Sequence, residues 1–147
     1  MNLVVDTNIV FSAIISDKGK IGELLLNKPG DLHFLSPLFL LEELDNHTDK
    51  LLSITGYSLA EYKQIKLFVT RHIEFVDVRD IHTENWETSY RLLANIDEMD
   101  TSFLALNLEA GGVLWTGDKK LIKGLQNKKY QDVITTDVLY AQYFGLS

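Results

Sequence analysis

The chain has 147 residues, 46% of them hydrophobic, which fits one globular domain over residues 1–147 and excludes a disordered chain. Cysteine is absent, no apolar run could span a bilayer and no signal peptide is recognisable, so we expect a cytoplasmic protein without disulfides, thiolate metal ligands or membrane contact. The net charge of -7 argues against a nucleic-acid partner, unless several of the acids form one cation-binding cluster.

Strands and helices are predicted to alternate along the chain. In chain order, short apolar runs predict strands at residues 2–6, 32–35, 73–78, 112–116 and 133–135. Helical spacing predicts helices at residues 8–15, 21–27, 37–52, 58–72, 83–93, 119–127 and 136–144. Ser58 and Glu61 form a capping-box pattern. The alternation predicts a three-layer α/β/α sandwich around a mostly parallel sheet of four to five strands.

The segment 95–121 predicts a helix, a glycine turn, the fourth strand and the start of the next helix. It contains Asp97, Asp100 and Asp118. On a helical projection Asp100 falls beside Phe103, on a face that should be buried, where an unpaired carboxylate is costly. Asp97 and Asp100 could also cap the helix N-terminus. Cap and functional ligand are equally consistent with Asp97, whereas the apolar flanks of Asp100 favour a functional role.

Four acids from separate segments are expected to meet at one edge of the sheet. Asp6 ends the first strand, Asp118 follows the fourth, and Asp100 opens the helix before it. Glu43 lies at the edge of an apolar helix face and can reach into a cleft, whereas Glu42 projects into solvent. Sites in parallel sheets form at the carboxyl ends of strands, so one pocket can receive all four acids.

Such a cluster restricts the chemistry of its pocket. Two carboxylates about 4 Å apart repel each other by roughly 4 kcal/mol at an effective dielectric near 20. The cluster must therefore take up protons, hydrate or bind a cation. Oxygen ligands without cysteine or patterned histidine indicate Mg²⁺ or Mn²⁺, which can activate a water molecule against a phosphate group.

Four segments then occur in a recognisable order and spacing, namely LVVDTNIVFSAI, LSPLFLLEEL, IDEMDTSFLALNLEAGG and VLWTGDKKL. They resemble the PIN-domain family of nucleases over essentially the whole chain, and the pair VVDTN and WTGDKKL is its most specific part. The resemblance implies a PIN-like fold and a Mg²⁺- or Mn²⁺-dependent endoribonuclease whose hydrolysis of RNA leaves a 5′-phosphate. Small single-domain members are often toxins of toxin–antitoxin pairs, so an antitoxin protein is an implied partner.

The resemblance also implies roles for individual residues. Its four catalytic acids fall on Asp6, Glu43, Asp100 and Asp118. The implied metal ligands, acting directly or through water, are Asp6, Asp100 and Asp118, with Asp97 matching an extra acid of some members. Glu43 would be a ligand or would orient the attacking water. Asn8 and Thr116 match residues that support the acids, and the alternatives are an N-cap for Asn8 and a strand end for Thr116.

Two further patterns suggest contacts with substrate or partner. Lys119 and Lys120 directly follow Asp118, so substrate binding and a solvated helix face are equally good interpretations of them. A solvated face is the better interpretation of the remaining lysines of that segment. Tyr140, Tyr143 and Phe144 give the end of the chain an aromatic surface, from which we expect a homodimer or partner contact.

Two other functions fit parts of the sequence. A catalytically silent PIN-like module that binds RNA or protein predicts a missing or mispaired acid, whereas all four acids are present. A phosphotransferase or phosphatase with Asp6 as nucleophile would usually carry a second acid two residues later, where this chain has Asn8. The metal-dependent ribonuclease is therefore the leading prediction.

Overall fold

Five strands form one sheet in the computed structural model, which describes residues 1–145 apart from the side chain of Met99. The strands are β1 (Asn2–Val5), β2 (His33–Pro37), β3 (Ile73–Val76), β4 (Val113–Trp115) and β5 (Val133–Ile134). Neighbouring strands pair in parallel in the order β3-β2-β1-β4-β5. The predicted α/β class and parallel sheet are therefore confirmed. The predicted domain also includes Leu146 and Ser147, which lie outside the described residues.

Helices cover the sheet on both faces, as predicted. They are α1 (Thr7–Ile15), α2 (Lys20–Asn27), α3 (Phe39–Asn46), α4 (Thr48–Thr55), α5 (Leu59–Thr70), α6 (Thr83–Leu93), α7 (Thr101–Ala110), α8 (Lys119–Asn127) and α9 (Thr136–Phe144). The predicted capping box is present, because the Ser58 hydroxyl accepts from the Glu61 amide while the Glu61 carboxylate accepts from the Ser58 amide. Among residues 1–145, no helix combines the length and apolarity needed to cross a bilayer.

The single long helix predicted over residues 37–52 is wrong. Pro37 is the last residue of β2, where it lies opposite Val76 of β3, and the helical part divides into α3 and α4 at His47. The His47 ring nitrogen Nδ1 hydrogen-bonds the carbonyl of Glu43 at 2.8 Å, and the Thr48 hydroxyl donates to the carbonyls of Leu44 and Asp45. Side chains that bond backbone carbonyls in this way compete with helix continuation.

The site follows from the strand order. The chain runs from β1 outward to β2 and β3, then crosses back to place β4 on the other side of β1. The switch point between β1 and β4 is where ligands bind in open α/β sheets. There the amide of Asp6 donates to the carbonyl of Trp115 at 3.1 Å, which ties the ends of the two strands together. Leu3, Val4 and Val5 are fully buried, so the Asp6 backbone is fixed in position.

Candidate functional site

Asp6 and Asp118 lie at the switch point and share one hydroxyl group. The Thr116 hydroxyl donates to Oδ2 of Asp6 at 2.7 Å and accepts from the amide of Asp118 at 3.1 Å. Burial raises the pKa of Asp6, while hydrogen bonds from the Thr116 hydroxyl and the Thr7 amide lower it. Asp6 is only 4% exposed, so these two donors provide the solvation that water cannot provide. Thr116 thus contacts the side chain of Asp6 as well as the backbone of Asp118.

The carboxylate of Asp118 also converges with two others. Asp97, Asp100 and Asp118 each offer one oxygen, and these three oxygens lie within 4.8 Å of one another. Asp97 precedes a short 3-10 turn (Glu98–Asp100), Asp100 directly precedes α7, and Asp118 precedes α8. All three side chains are half-buried. We call Asp97, Asp100 and Asp118 the acid cluster.

Asp100 shows the electrostatic effect of this crowding most clearly. Burial raises its pKa, and the negative charges of Asp6, Asp97, Asp118 and Glu43 raise it further, to about 8. Each of these charges disfavours an ionised Asp100. Asp6, Asp118 and Glu43 are thus near enough to Asp100 for their charges to act on it, while the catalytic role of the four acids stays a prediction.

Asp100 occupies the N-cap position of α7, but its side chain makes no capping hydrogen bond. Asp118, in contrast, does cap a helix, since its Oδ1 accepts from the amides of Lys120 and Leu121 at 3.0 and 3.2 Å. The positive end of the α8 dipole therefore stabilises the Asp118 carboxylate inside the cluster.

Glu43 is held by a residue that the sequence analysis missed. The Thr7 hydroxyl donates to Oε1 of Glu43 at 2.7 Å. Thr7 lies three positions before Val10 and seven before Ile14, which are both buried, so helical spacing could have shown that it faces inward. Asn8, which was the predicted supporting residue, is exposed, and its supporting role stays a prediction.

The lysines of α8 have different surroundings. Lys119 and Lys120 are exposed in its first turn, next to Asp118, and their contact with substrate stays a prediction. Lys128 has a structural role, because its Nζ donates to the carbonyls of Arg91, Leu92 and Ala94 at the end of α6. Lys128 is exposed, as the sequence suggested, and it also contacts the folded chain through these bonds.

The aromatic residues at the end of the chain are partly used within the protein. The Tyr140 hydroxyl donates to Glu23 of α2 at 2.8 Å, and the Tyr143 hydroxyl donates to Asp31 at 3.0 Å. Val138 and Phe144 are 52% and 38% exposed. The predicted homodimer stays a prediction.

A divalent cation fits the donor set of the acid cluster. Carboxylate oxygens are the ligands that Mg²⁺ and Mn²⁺ prefer, and Asp97, Asp100 and Asp118 supply three of them from separate segments. A cation would also offset the repulsion that raises the pKa of Asp100. The ligand chemistry and the charge of the cluster both fit a hard divalent ion.

A cleft lies beside the acid cluster. It has a volume of about 520 Å³ and includes Phe39, Trp86, Glu98 and Ser102 in its walls. A second cleft of about 520 Å³ shares Trp86 with the first. Trp86 is half-buried and lines both clefts.

The fold and the acid cluster define an α/β protein with a candidate cation site at the switch point of its sheet. The sequence profile described as PIN domain matches residues 4–137, and this chain belongs to the PIN-domain family. Its structure is similar to a chain in the crystal structure of VapBC2 from Rickettsia felis bound to a DNA fragment from their promoter. That similarity has a TM-score of 0.65 with 18% sequence identity, over 92% of this chain and 97% of the other. No curated protein sequence matches the chain.

Proposed function

We propose that this protein is a Mg²⁺- or Mn²⁺-dependent endoribonuclease that hydrolyses phosphodiester bonds in RNA. The observation that carries the proposal is the convergence of Asp97, Asp100 and Asp118 within 4.8 Å at the switch point, beside the buried Asp6. Membership of the PIN-domain family supports it, because PIN domains are generally nucleases.

The acids divide into two groups by their surroundings. Asp97, Asp100 and Asp118 would hold the ion through their clustered oxygens, and Asp6 would contribute directly or through water. A divalent ion bound there activates water at neutral pH and stabilises the charge that develops on a phosphate. Glu43, held by the Thr7 hydroxyl, would orient the attacking water or act as a further ligand.

The substrate would approach over the start of α8. Lys119 and Lys120 are exposed directly after Asp118, where their ammonium groups can contact phosphates on either side of the scissile bond. These contacts matter because the five acids of the site contribute to the net charge of -7 and repel the phosphates of RNA, so nearby cations are needed to offset that repulsion. Thr116 holds Asp6 in place behind the cluster.

We also propose that the protein is the toxin of a toxin–antitoxin pair, acts in the cytoplasm and forms a homodimer. The similar VapBC2 structure supports an antitoxin protein as the partner, and the exposed Val138 and Phe144 support a contact between copies. Expression of the protein should then arrest growth, and Asp6→Ala should relieve the arrest. Growth unaffected by the wild-type protein would contradict the toxin role and leave the nuclease proposal standing.

The nuclease activity is tested by cleavage of single-stranded RNA with Mn²⁺ or with EDTA. We expect Mn²⁺-dependent cleavage that Asp100→Asn reduces by at least about 100-fold, since even residues behind a metal ligand are commonly worth about 10- to 100-fold. The matched control is Glu84→Gln, which removes the same charge at an exposed position on α6. Binding of RNA without cleavage in Mn²⁺ would instead favour the catalytically silent module.

A further inference from the structure

Thr7 uses its hydroxyl for the site rather than for its own helix. It begins α1 directly after Asp6 and is only 4% exposed. A threonine at a helix start commonly bonds amides or carbonyls of its own segment. Thr7 instead donates to Oε1 of Glu43 at 2.7 Å, across 36 positions of the chain. The contact therefore joins the start of α1 to the Glu43 side chain of α3.

The same residue also adjoins Asp6. Thr7 follows Asp6 directly in the chain, and Asp6 is itself held by the hydrogen bond that the Thr116 hydroxyl donates to its Oδ2 at 2.7 Å. The hydroxyl of Thr7 therefore ties Glu43 to the end of β1, where the amide of Asp6 bonds the carbonyl of Trp115. A residue in this place restrains the position of Glu43 relative to Asp6.

Glu43 needs such a restraint more than Asp6 does. Its side chain has three rotatable bonds and is half-buried, and its negative charge acts on both Asp6 and Asp100. Repulsion between like charges favours a rotamer that turns the Glu43 carboxylate away towards solvent. A hydrogen bond from a buried hydroxyl to a charged carboxylate is strong enough to oppose this movement.

We infer that Thr7 is a positioning residue that holds Glu43 at the acid cluster, so that this carboxylate stays available to the bound ion and the attacking water. The inference rests on the proposed nuclease function. It assigns the support of the acids to Thr7 and Thr116, whereas the sequence suggested Asn8 and Thr116. A residue in this place affects metal affinity and turnover through Glu43, without itself touching the substrate.

The alternative is that the contact only joins α1 to α3. Another contact joins the same segments, because the rings of Phe11 on α1 and His47 after α3 lie 5.4 Å apart. Phe11→Leu weakens that packing and leaves the Thr7 hydroxyl in place, so it is the matched control. A purely structural role predicts parallel effects of Thr7→Val and Phe11→Leu.

The experiment compares the wild-type protein with Thr7→Val, Thr7→Ser and Phe11→Leu. Mn²⁺ affinity is measured by calorimetry, RNA cleavage as kcat and KM, and folding as Tm. We expect Thr7→Val to weaken Mn²⁺ binding and to lower kcat, each by about 10-fold or more, with little change in KM. Thr7→Ser, which keeps the hydroxyl, should stay within about twofold of wild type, and Phe11→Leu should lower Tm alone.

Each outcome decides the inference. Unchanged Mn²⁺ affinity and kcat in Thr7→Val would overturn it, as would losses in Phe11→Leu as large as those in Thr7→Val. If the wild-type protein binds Mn²⁺ but does not cleave RNA, the proposed function fails. The Mn²⁺ affinities of the same variants then still decide whether Thr7 positions Glu43.

Discussion

The hydroxyl of Thr116 donates to Oδ2 of Asp6 at 2.7 Å, across 110 positions of the chain. Both residues are buried, and the same hydroxyl accepts from the amide of Asp118. The first and last of the four predicted catalytic acids are thus joined by one side chain that faces the switch point of the sheet. Any change to this hydroxyl affects a carboxylate that has little access to water.

Thr116→Val should destabilise the protein. The substitution keeps the shape of the side chain but leaves the buried Asp6 carboxylate without its hydroxyl donor, a loss of about 1.5–3 kcal/mol for a hydrogen bond to a charged group. Denaturant unfolding at neutral pH without added metal measures the change. Thr116→Ser, which retains the donor, should lose less than half as much. A valine variant as stable as wild type would show that the hydrogen bond contributes nothing.

The acid cluster should make the metal-free protein less stable as the pH rises. The pKa of Asp100 is raised from 3.8 to about 8, so between these values the folded chain holds a proton that the unfolded chain releases. Stability contributed by this group is therefore fully present at low pH and is lost as the pH rises through 8. Asp100→Asn should flatten the profile of Tm against pH measured in EDTA.

Asp100→Asn should have a higher Tm than wild type without metal and a lower Tm than wild type with metal. At pH 8 in EDTA we expect Asp100→Asn to melt above wild type, because it removes one of the repelling charges. With saturating Mg²⁺ the wild-type protein should gain more in Tm than the variant, since ligands that bind only the folded state stabilise it. Glu84→Gln should behave like wild type in both buffers. Equal gains in all three proteins would place the bound ion elsewhere.

Close packing between Gly124 and Ile96 should set the distance between two ligands. A Cβ at Gly124 would lie 2.6 Å from Cδ1 of Ile96, in the loop that leads to Asp97, while Gly124 belongs to the helix that Asp118 caps. Gly124→Ala should therefore push the loop and α8 apart. We expect a loss of about 1–3 kcal/mol in stability from overpacking, together with weaker Mn²⁺ binding.

The matched variant for that test is the double substitution Gly124→Ala with Ile96→Val. Valine lacks the Cδ1 atom that lies nearest the added methyl group, so the double variant should recover part of the stability and of the Mn²⁺ affinity. The measurements are denaturant unfolding and calorimetric titration with Mn²⁺. If stability recovers but Mn²⁺ affinity does not, the contact between Gly124 and Ile96 does not set the positions of the metal ligands.

Lys128 should matter for folding but not for cleavage. Its ammonium group donates to three carbonyls at the end of α6, at 2.7, 2.9 and 3.2 Å. Lys128→Met keeps the aliphatic stem and removes these bonds, which should lower the free energy of unfolding by about 1 kcal/mol. Lys123→Met, at an exposed position of the same helix, is the control. A fall in kcat without a change in stability would give Lys128 a role at the site instead.

Much of the site could be predicted because its acids belong to local patterns. Asp6 and Asp118 follow apolar strand runs, and Asp100 interrupts an apolar helix face, so their places at one edge follow from strand order alone. The role of Asp97 was left open, because a capping residue and a metal ligand look alike in sequence. The structure favours a ligand, since one oxygen each of Asp97, Asp100 and the distant Asp118 lie within 4.8 Å of one another.

The features that could not be predicted depend on distant partners or on side-chain bonds that helical spacing does not reveal. The strand position of Pro37 depends on β3, more than 30 residues later, and the break at His47 depends on local bonds that compete with the helix. Helical spacing could have predicted that Thr7 faces inward. The hydrogen bond from Thr7 to Glu43 could not be predicted, because it depends on how α3 packs against α1. Such contacts appear only once the sheet order is known.

The central claim is that Asp97, Asp100 and Asp118, beside Asp6, form the binding site of a divalent ion. Anomalous diffraction from crystals soaked in Mn²⁺ tests it most directly. We expect an anomalous peak within coordination distance of the three clustered carboxylates, and loss of that peak in Asp100→Asn crystals. A saturated crystal with no peak there, or with its strongest peak at another group of acids, would show that these residues do not form the metal site.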